Sequence, residues 1–355
     1  MIKYETERYK IFNKDKGLYG IEKKHDVLKQ DKTVFIQDIS EKKNLYSKVS
    51  EAFDKIHAET VIKKGDHVAI KLNIGGGIDY IQTSFSDPFI CEAIIKKTRK
   101  MGALPFICEA NMRARIMDEK LLKVRGYEQL CKKMNCKFVN LSDYTTVNMK
   151  CLNLDIPLKL PEILVKPETK IISFAPPKHH WECGLTANQK NMYGAIAEFR
   201  KSIYHRKYSR IDYAVAAAAR IISPDINILG SFNIGTGVGP HFMYPVEFNR
   251  MIISKDMLRG DKVASELLGY PFQYIKYCMI NSKNQPVDYR LHPDSSWLSV
   301  DRLHKIKKKS MDYRNVNLWK AILYLQYFLP HYFQIWLFPR MESLFTEINM
   351  KFFDN

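Results

Sequence analysis

Apolar residues recur along the chain with two different periods, and glycine, proline and aspartate mark where one period gives way to the other. Residues 33–38 (Thr-Val-Phe-Ile-Gln-Asp) predict a first strand. Residues 41–57 place Leu45, Val49, Phe53 and Ile56 on one helical face. After a turn at Gly65-Asp66, residues 67–72 form a short apolar run that predicts a second strand, followed by Asn73 and Gly75-Gly76-Gly77. Ser86-Asp87-Pro88 supplies an N-cap and a proline at the first helical position. The helix it opens carries Ile90, Ala93, Ile94 and Met101 and stops at Gly102. Residues 104–108 predict the next strand. Strand, loop, helix and strand at these lengths make a βαβ unit, whose default sheet is parallel.

A second block of the same kind follows. Residues 170–174 predict a strand ending in Pro176-Pro177-Lys178-His179-His180. Residues 214–222 predict a helix, and residues 226–229 a strand running into a glycine-rich loop over 230–240. Residues 251–254 predict another strand, and residues 261–268 a helix closed by Gly269. The expected fold is α/β: a mainly parallel open sheet with helices on both faces, arranged as two Rossmann-like lobes, plus a C-terminal helical extension. The expected organisation is a peripheral N-terminal arm over 1–32, an α/β core with a ligand crevice over 33–285, and a basic, aromatic-rich extension over 286–355.

Composition narrows the partners. Of 355 residues 46% are hydrophobic and 12% aromatic, which excludes a disordered chain. Lys and Arg number 56 against 38 Asp and Glu, a formal net charge of +18 that favours negatively charged partners. The seven cysteines contain no C-x-x-C pair, so neither a zinc knuckle nor a ferredoxin-type cluster is expected. The odd count and an N-terminus without an apolar run predict free thiols and a cytoplasmic setting.

Arg302, Lys305, Lys307, Lys308, Lys309 and Arg314 precede an aromatic stretch over 318–338. This pattern predicts contact with an anionic membrane surface through residues 302–345, at the inner membrane face. Lys320, Gln326, Pro330, His331 and Gln334 interrupt the stretch and argue against a span. A helix pair packed on the core, or a homodimer contact, is the alternative. No nucleic-acid reader motif is present, so nucleic acid is not an expected partner.

The three unusual loops (73–77, 175–194 and 230–240) all follow predicted strands, and open α/β sheets bind ligands at the carboxyl ends of their strands. Lys71 and Asn73 beside Gly75 and Gly76 suit an anion, or are an ordinary tight turn. His179 and His180 follow two stiffening prolines and can exchange a proton, ligate a metal with Glu182 or Cys183, or hydrogen-bond structurally. Thr186, Lys190 and Asn191 lie at helical spacing and suit a carboxylate or phosphate. Glu109 at a strand end is a candidate base or an ion-pair partner of Lys71. Gly237 and Gly239 suit a second backbone nest. Pro240 argues against a dinucleotide fingerprint there.

Taken in order, Gly65-Asp-x-x-x-x-Lys71-x-Asn73, Met101-Gly102-Ala103 with Glu109, Lys178-His179-His180-x-x-x-Gly184-x-Thr186-x-x-x-Lys190-Asn191-x-x-Gly194, Thr236-Gly-Val-Gly239-Pro240, and Ser254-x-Asp256 with Asp261 and Leu268-Gly269 resemble the domain-of-unknown-function family 362. The resemblance covers residues 30–280. It implies the fold and a shared crevice, and it names no reaction. The ferredoxin-like cysteine run that many members carry is missing here, and Gly230-Ser231 replaces an Asp-Gly-type pair. The His and Lys spacing is also loosely similar to that of nickel-cofactor lactate racemases, too loosely to carry a cofactor over.

The functional expectation is an enzyme of isomerase or oxidoreductase type. It would act on a small carboxylate or phosphate by proton transfer or reduction, with His179, His180, Lys190 and Glu109 as catalytic candidates. Lys71, Asn73, Gly75, Gly76, Thr186, Asn191, Gly237 and Gly239 would hold the ligand. Cofactor and metal are left open. The alternative is a non-catalytic anion-binding protein held at a membrane surface.

Overall fold

The computed structural model describes residues 1–15, 17–74, 85–112, 116–198, 200–205, 210–239, 242–309, 328–330 and 333. The chain begins with β1 (Ile2–Glu5), β2 (Tyr9–Lys14), β3 (Gly17–Glu22) and β4 (Thr33–Asp38), then α1 (Leu45–Lys55), β5 (His67–Lys71), α2 (Pro88–Lys100) and β6 (Leu104–Glu109). Next come α3 (Glu119–Val124), α4 (Tyr127–Met134), β7 (Phe138–Asn140), β8 (Thr146–Lys150), β9 (Leu158–Pro161), α5 (Glu162–Val165) and β10 (Thr169–Ala175). A small hairpin, β11 (Lys178–His180) and β12 (Gly184–Thr186), leads to α6 (Asn188–Gly194) and α7 (Arg210–Ile222). The chain continues through β13 (Ile226–Val238), β14 (Phe242–Ser254), α8 (Met257–Leu267), α9 (Lys276–Asn281), β15 (Arg290–Leu291) and α10 (Val300–Lys309).

The main sheet has eight strands in the order β15-β4-β14-β13-β10-β5-β6-β7. Strands β13, β10, β5, β6 and β7 are mutually parallel. Only β14 runs against its neighbours β13 and β4. Both expected lobes contribute to this single sheet. Successive residues point to opposite faces: Val68, Ile70 and Leu72 enter one core, and Ala69 the other. Helices α1, α2 and α4 cover the first face, and α6 to α9 the second. A parallel strand buried on both sides needs an unbroken apolar run, which is why 67–72 was legible.

Two expectations are corrected by this topology. The predicted loop over 230–240 is strand through Val238, and the short strand predicted over 251–254 begins at Phe242. Together they make one long antiparallel hairpin. Its glycines lower strand propensity, so local reading ended the strand early, yet Gly235 is where a Cβ would strike the side chain of Met243 across the hairpin.

The first 32 residues are also better integrated than a peripheral arm. Their strands join β8 and β9 in a second sheet, β1-β2-β3-β8-β9, and Tyr9, Ile11 and Leu18 are buried in the same core as α7. The tie is electrostatic as well: the buried Arg220 on α7 grips Glu22 at 2.6 and 3.0 Å. The alanine run of α7 (Ala214, Ala216, Ala217, Ala218, Ala219) is buried throughout, and its small side chains let this helix sit among β9, α6 and α9.

Of the C-terminal extension, α10 packs on β13 and β14, with Ile306 fully buried and Arg302 paired to Glu247. Most of 310–345, on which the membrane expectation rests, lies outside the described residues. Among the described residues no helix is long and apolar enough to cross a membrane.

Candidate functional site

The carboxyl ends of β5, β6 and β10 bring together the first group of candidates. Lys71 closes β5 and is fully buried. A buried ammonium is tolerable only with acceptors around it. Here they are Glu109 Oε1 at 2.6 Å, the Leu72 carbonyl at 2.6 Å and Asn191 Oδ1 at 3.4 Å. Glu109 closes β6, the adjacent strand, and also accepts from the Ile74 and Ala110 amides. Lys71 and Glu109 are therefore an ion pair, the second of the two readings open for Glu109 in the sequence. Asn73 donates to Asn191 Oδ1 at 3.4 Å and accepts from Lys178 Nζ at 3.0 Å. Gly75 and Gly76 lie outside the described residues.

The hairpin β11–β12 lies over these strand ends. Lys178 and Thr186 are cross-strand partners and so share a face. The Thr186 hydroxyl is buried with no hydrogen-bond partner among the described residues, a feature that asks for an explanation in a folded protein.

His179 was a candidate for proton transfer, for a metal or for structural hydrogen bonding, and its surroundings match the last of these. Its Nε2 lies 3.1 Å from the Leu268 carbonyl, and the Gly237 amide donates to its Nδ1 at 3.3 Å. Burial pushes its pKa down to about 4, against the Leu268 hydrogen bond that raises it. With both nitrogens bound to backbone, the ring clamps α8 to the β13–β14 hairpin as a neutral imidazole. The same contact spends the amide of Gly237, so that glycine does not serve as a free anion nest. Gly239 is required for a different reason. A Cβ there would lie 2.0 Å from the His179 carbonyl oxygen, which backbone cannot yield. His180 accepts from the amides of Glu182 and Cys183 at 3.2 Å each through Nδ1, which fixes the turn between β11 and β12 and leaves the ring proton on Nε2.

Helix α6 delivers Lys190 and Asn191. Its N-cap position is Ala187, which has no side-chain acceptor. Asp261 of α8 substitutes from across the core, accepting from the amides of Asn188 and Gln189 at 2.8 and 3.2 Å and from Gln189 Nε2 at 3.2 Å. Burial raises the Asp261 carboxyl to about 7, against these hydrogen bonds, which lower it. Asp261→Ala is expected to cost about 1–3 kcal/mol, the penalty for buried donors without an acceptor, and a lowered urea midpoint checks it. So held, Asn191 spreads its Nδ2 across the Lys71 carbonyl and Ser173 Oγ, both at 3.1 Å. Lys190 is half-buried, with Nζ 5.6 Å from the centre of the Tyr193 ring.

Sequence reasoning missed Lys201. It is buried, and its Nζ donates to the Gly194 carbonyl at 2.9 Å. A Cβ on Gly194 would lie 2.9 Å from Lys71 Nζ, so Lys201 and Lys71 meet the same helix end. Burial pushes the Lys201 ammonium down to about 7; Glu109 opposes the shift, while Lys71 and Lys190 reinforce it. Its sequence surroundings, with Glu198, Arg200, Arg206 and Lys207 close by, give no signal of burial. Also missed were His205, whose Nδ1 lies 2.7 Å from Glu182 Oε2, and Asp212, which burial and the nearby Glu182 raise to about 7. Among the described residues no cluster of three or more His, Cys, Asp or Glu has the geometry of a metal site.

Residues 68–266 match the profile of the family described as Domain of unknown function (DUF362). The match spans more than half of the chain, and the chain belongs to that family. A thylakoid-associated protein of Synechocystis sp. is 21% identical over 224 residues, covering 58% of this chain and 64% of that protein. The lactate racemase apoprotein from Thermoanaerobacterium thermosaccharolyticum superposes with a TM-score of 0.43 at 13% identity, over 73% of this chain and 62% of that one. The chain thus spans less than two thirds of the length of either relative.

Proposed function

We propose that this member of the DUF362 family is an enzyme that binds a small carboxylate or phosphate at the carboxyl ends of β5, β6 and β10 and moves a proton on it. One observation carries the reading: Lys71, Lys178 and Lys201 converge on the Asn73–Asn191 pair and the end of α6, with Glu109 as the bonded counter-charge. Gathering buried ammoniums is costly to fold, and an anion bound among them relieves the cost. The Thr186 hydroxyl beside Lys178, without a partner among the described residues, supplies a further donor. Lys201, poised at about 7, exchanges a proton near neutral pH, as a general acid or base must.

Two measurements on Lys201→Met test this. Inorganic phosphate, followed by calorimetry at low ionic strength, is expected to bind the variant about tenfold or more weakly, the loss of one charge-assisted contact. A folded variant with unchanged phosphate affinity would remove Lys201 from the site. The second measurement is stability against pH. The folded value of about 7 lies below the ordinary 10.5, so the unfolded chain binds the extra proton between the two. The wild-type chain is free of this charge penalty above 10.5 and bears more of it as pH falls toward 7. The melting temperature of Lys201→Met, relative to wild type, is therefore expected to rise as pH is lowered from about 10 to about 6.

A further inference from the structure

Tyr193, His205 and Glu182 lie in a line that the anion site described above does not use. Tyr193 sits on α6, two residues after Asn191, and its hydroxyl is 3.1 Å from His205 Nε2. The other ring nitrogen, Nδ1, is 2.7 Å from Glu182 Oε2. All three side chains are largely buried, and Glu182 is held in place by the turn that His180 caps. A carboxylate can only accept, so Nδ1 carries the proton of the neutral ring, Nε2 accepts, and the Tyr193 hydroxyl donates to it. The two rings meet edge to face, 79° for Tyr193 on Tyr204 and 89° for Tyr193 on His205, which fixes the phenol from two sides.

The near end of this line lies beside Lys190 and the backbone of Lys201. Lys190 Nζ stands over the Tyr193 ring, and the Tyr193 hydroxyl also lies 3.4 Å from the carbonyl of Lys201. The far end reaches Asp212, whose carboxyl is raised by burial and by Glu182, and whose Oδ1 has no hydrogen-bond partner among the described residues. In a low-dielectric core the hydrogen bonds of a carboxyl–imidazole–phenol chain polarise one another along its length.

We propose that Glu182, His205 and Tyr193 form a proton relay serving the anion site, with the Tyr193 hydroxyl as the group that exchanges a proton with the bound molecule. This rests on the reading of the site as an anion site. In the forward direction Tyr193 Oη takes a proton from the ligand as its own O–H proton passes to His205 Nε2. The imidazolium so formed is balanced by the Glu182 carboxylate through Nδ1–H. One proton has moved from ligand to His205, one O–H bond has been exchanged for another at Tyr193, and no electron has been transferred. The reverse sequence returns the proton. Tyr193 is the catalytic residue of the three, and His205 and Glu182 are positioning residues that act through it. Among the described residues, the charged and titratable groups facing the chain include Lys190, Lys201 and Tyr204 at the ligand end, and Asp212, with Lys276 and Cys183 near it, at the carboxylate end.

The test combines His205 titration by nitrogen NMR on ¹⁵N-histidine-labelled full-length chain with phosphate calorimetry in buffers of different ionisation enthalpy. In wild type, His205 is expected to show a protonated Nδ1 and an accepting Nε2, and to titrate. Tyr193→Phe is expected to move that titration by about half a pH unit or more. Binding of the phosphate dianion to wild type is expected to draw a proton in from solvent, which the relay then shares between the ligand and His205. His205→Gln, which keeps hydrogen-bonding atoms and loses the titration, is expected to retain phosphate binding and lose that uptake. A His205 ring that does not titrate, that ignores Tyr193→Phe, or whose replacement leaves the proton uptake intact overturns the relay. A wild-type chain that titrates as expected and binds no phosphate counts against the anion site, and the relay, having nothing to serve, falls with it. Phosphate binding without any coupled proton overturns the relay alone.

Discussion

Replacing Lys71 by alanine is expected to destabilise the fold by about 3–5 kcal/mol, the cost of leaving one partner of a buried ion pair unpaired. Lys71 Nζ and Glu109 Oε1 are 2.6 Å apart with side chains 0% and 3% exposed, so water cannot take the place of the missing ammonium. The loss reaches beyond the pair. Glu109 also accepts the Ile74 amide, and Lys71 binds Asn191 Oδ1, so the strand ends and α6 lose a common anchor. Denaturant unfolding checks the magnitude. The double replacement Lys71→Met with Glu109→Gln should recover much of the loss, because no charge is then left alone in the core. If the single variant were as stable as wild type, Glu109 would have to be reached by water or by another cation, and the tight site described here would be wrong.

Arg220→Ala is expected to cost a similar amount, about 3–5 kcal/mol, with a different structural consequence. The guanidinium meets both oxygens of Glu22 in a fork, and its third nitrogen reaches Asn281 Oδ1 at 2.9 Å. Glu22 in turn accepts the Leu152 amide at 2.8 Å. One side chain on α7 therefore holds the end of β3, the segment after β8, and α9. Its removal should loosen the five-stranded sheet before the eight-stranded one. Limited proteolysis should show faster cutting within the first 22 residues, alongside a lowered unfolding midpoint. Lysine at this position should rescue only part of the loss, since an ammonium cannot present the paired N–H groups that the carboxylate now binds.

Both effects arise from charges buried in pairs, of which the sequence offered one, Lys71 with Glu109, as a reading and gave no sign of the other. A lysine, a glutamate or an arginine is exposed by default, and only the partner makes its burial possible. For Lys71 and Glu109 the strand-end position was a hint, since both close apolar runs. For Glu22 and Arg220, 198 residues apart, local sequence held none.

The sequence by itself determined the parts of the molecule whose physics is local. Strands β4, β5, β6 and β10 and helices α1, α2, α7 and α8 followed from apolar periodicity. The start of α2 followed from Asp87, whose side chain accepts from Phe89 and Ile90 and which precedes Pro88 at the first helical position. The shared motifs placed the chain in its family.

Tertiary structure alone decided how the strands join and what most of the buried polar side chains do. It joined both βαβ blocks in one sheet, drew the first strands into the core, and ran β13 through its glycines. It assigned His179 to backbone acceptors and donors, capped α6 from Asp261 because Ala187 cannot, and set Lys201, His205 and Asp212 beside residues far away or across a turn. The reason is common to all of these. Hydrophobic pattern is a property of neighbours three or four positions apart, whereas the state of a buried ionisable group depends on which distant atoms replace the water it has lost.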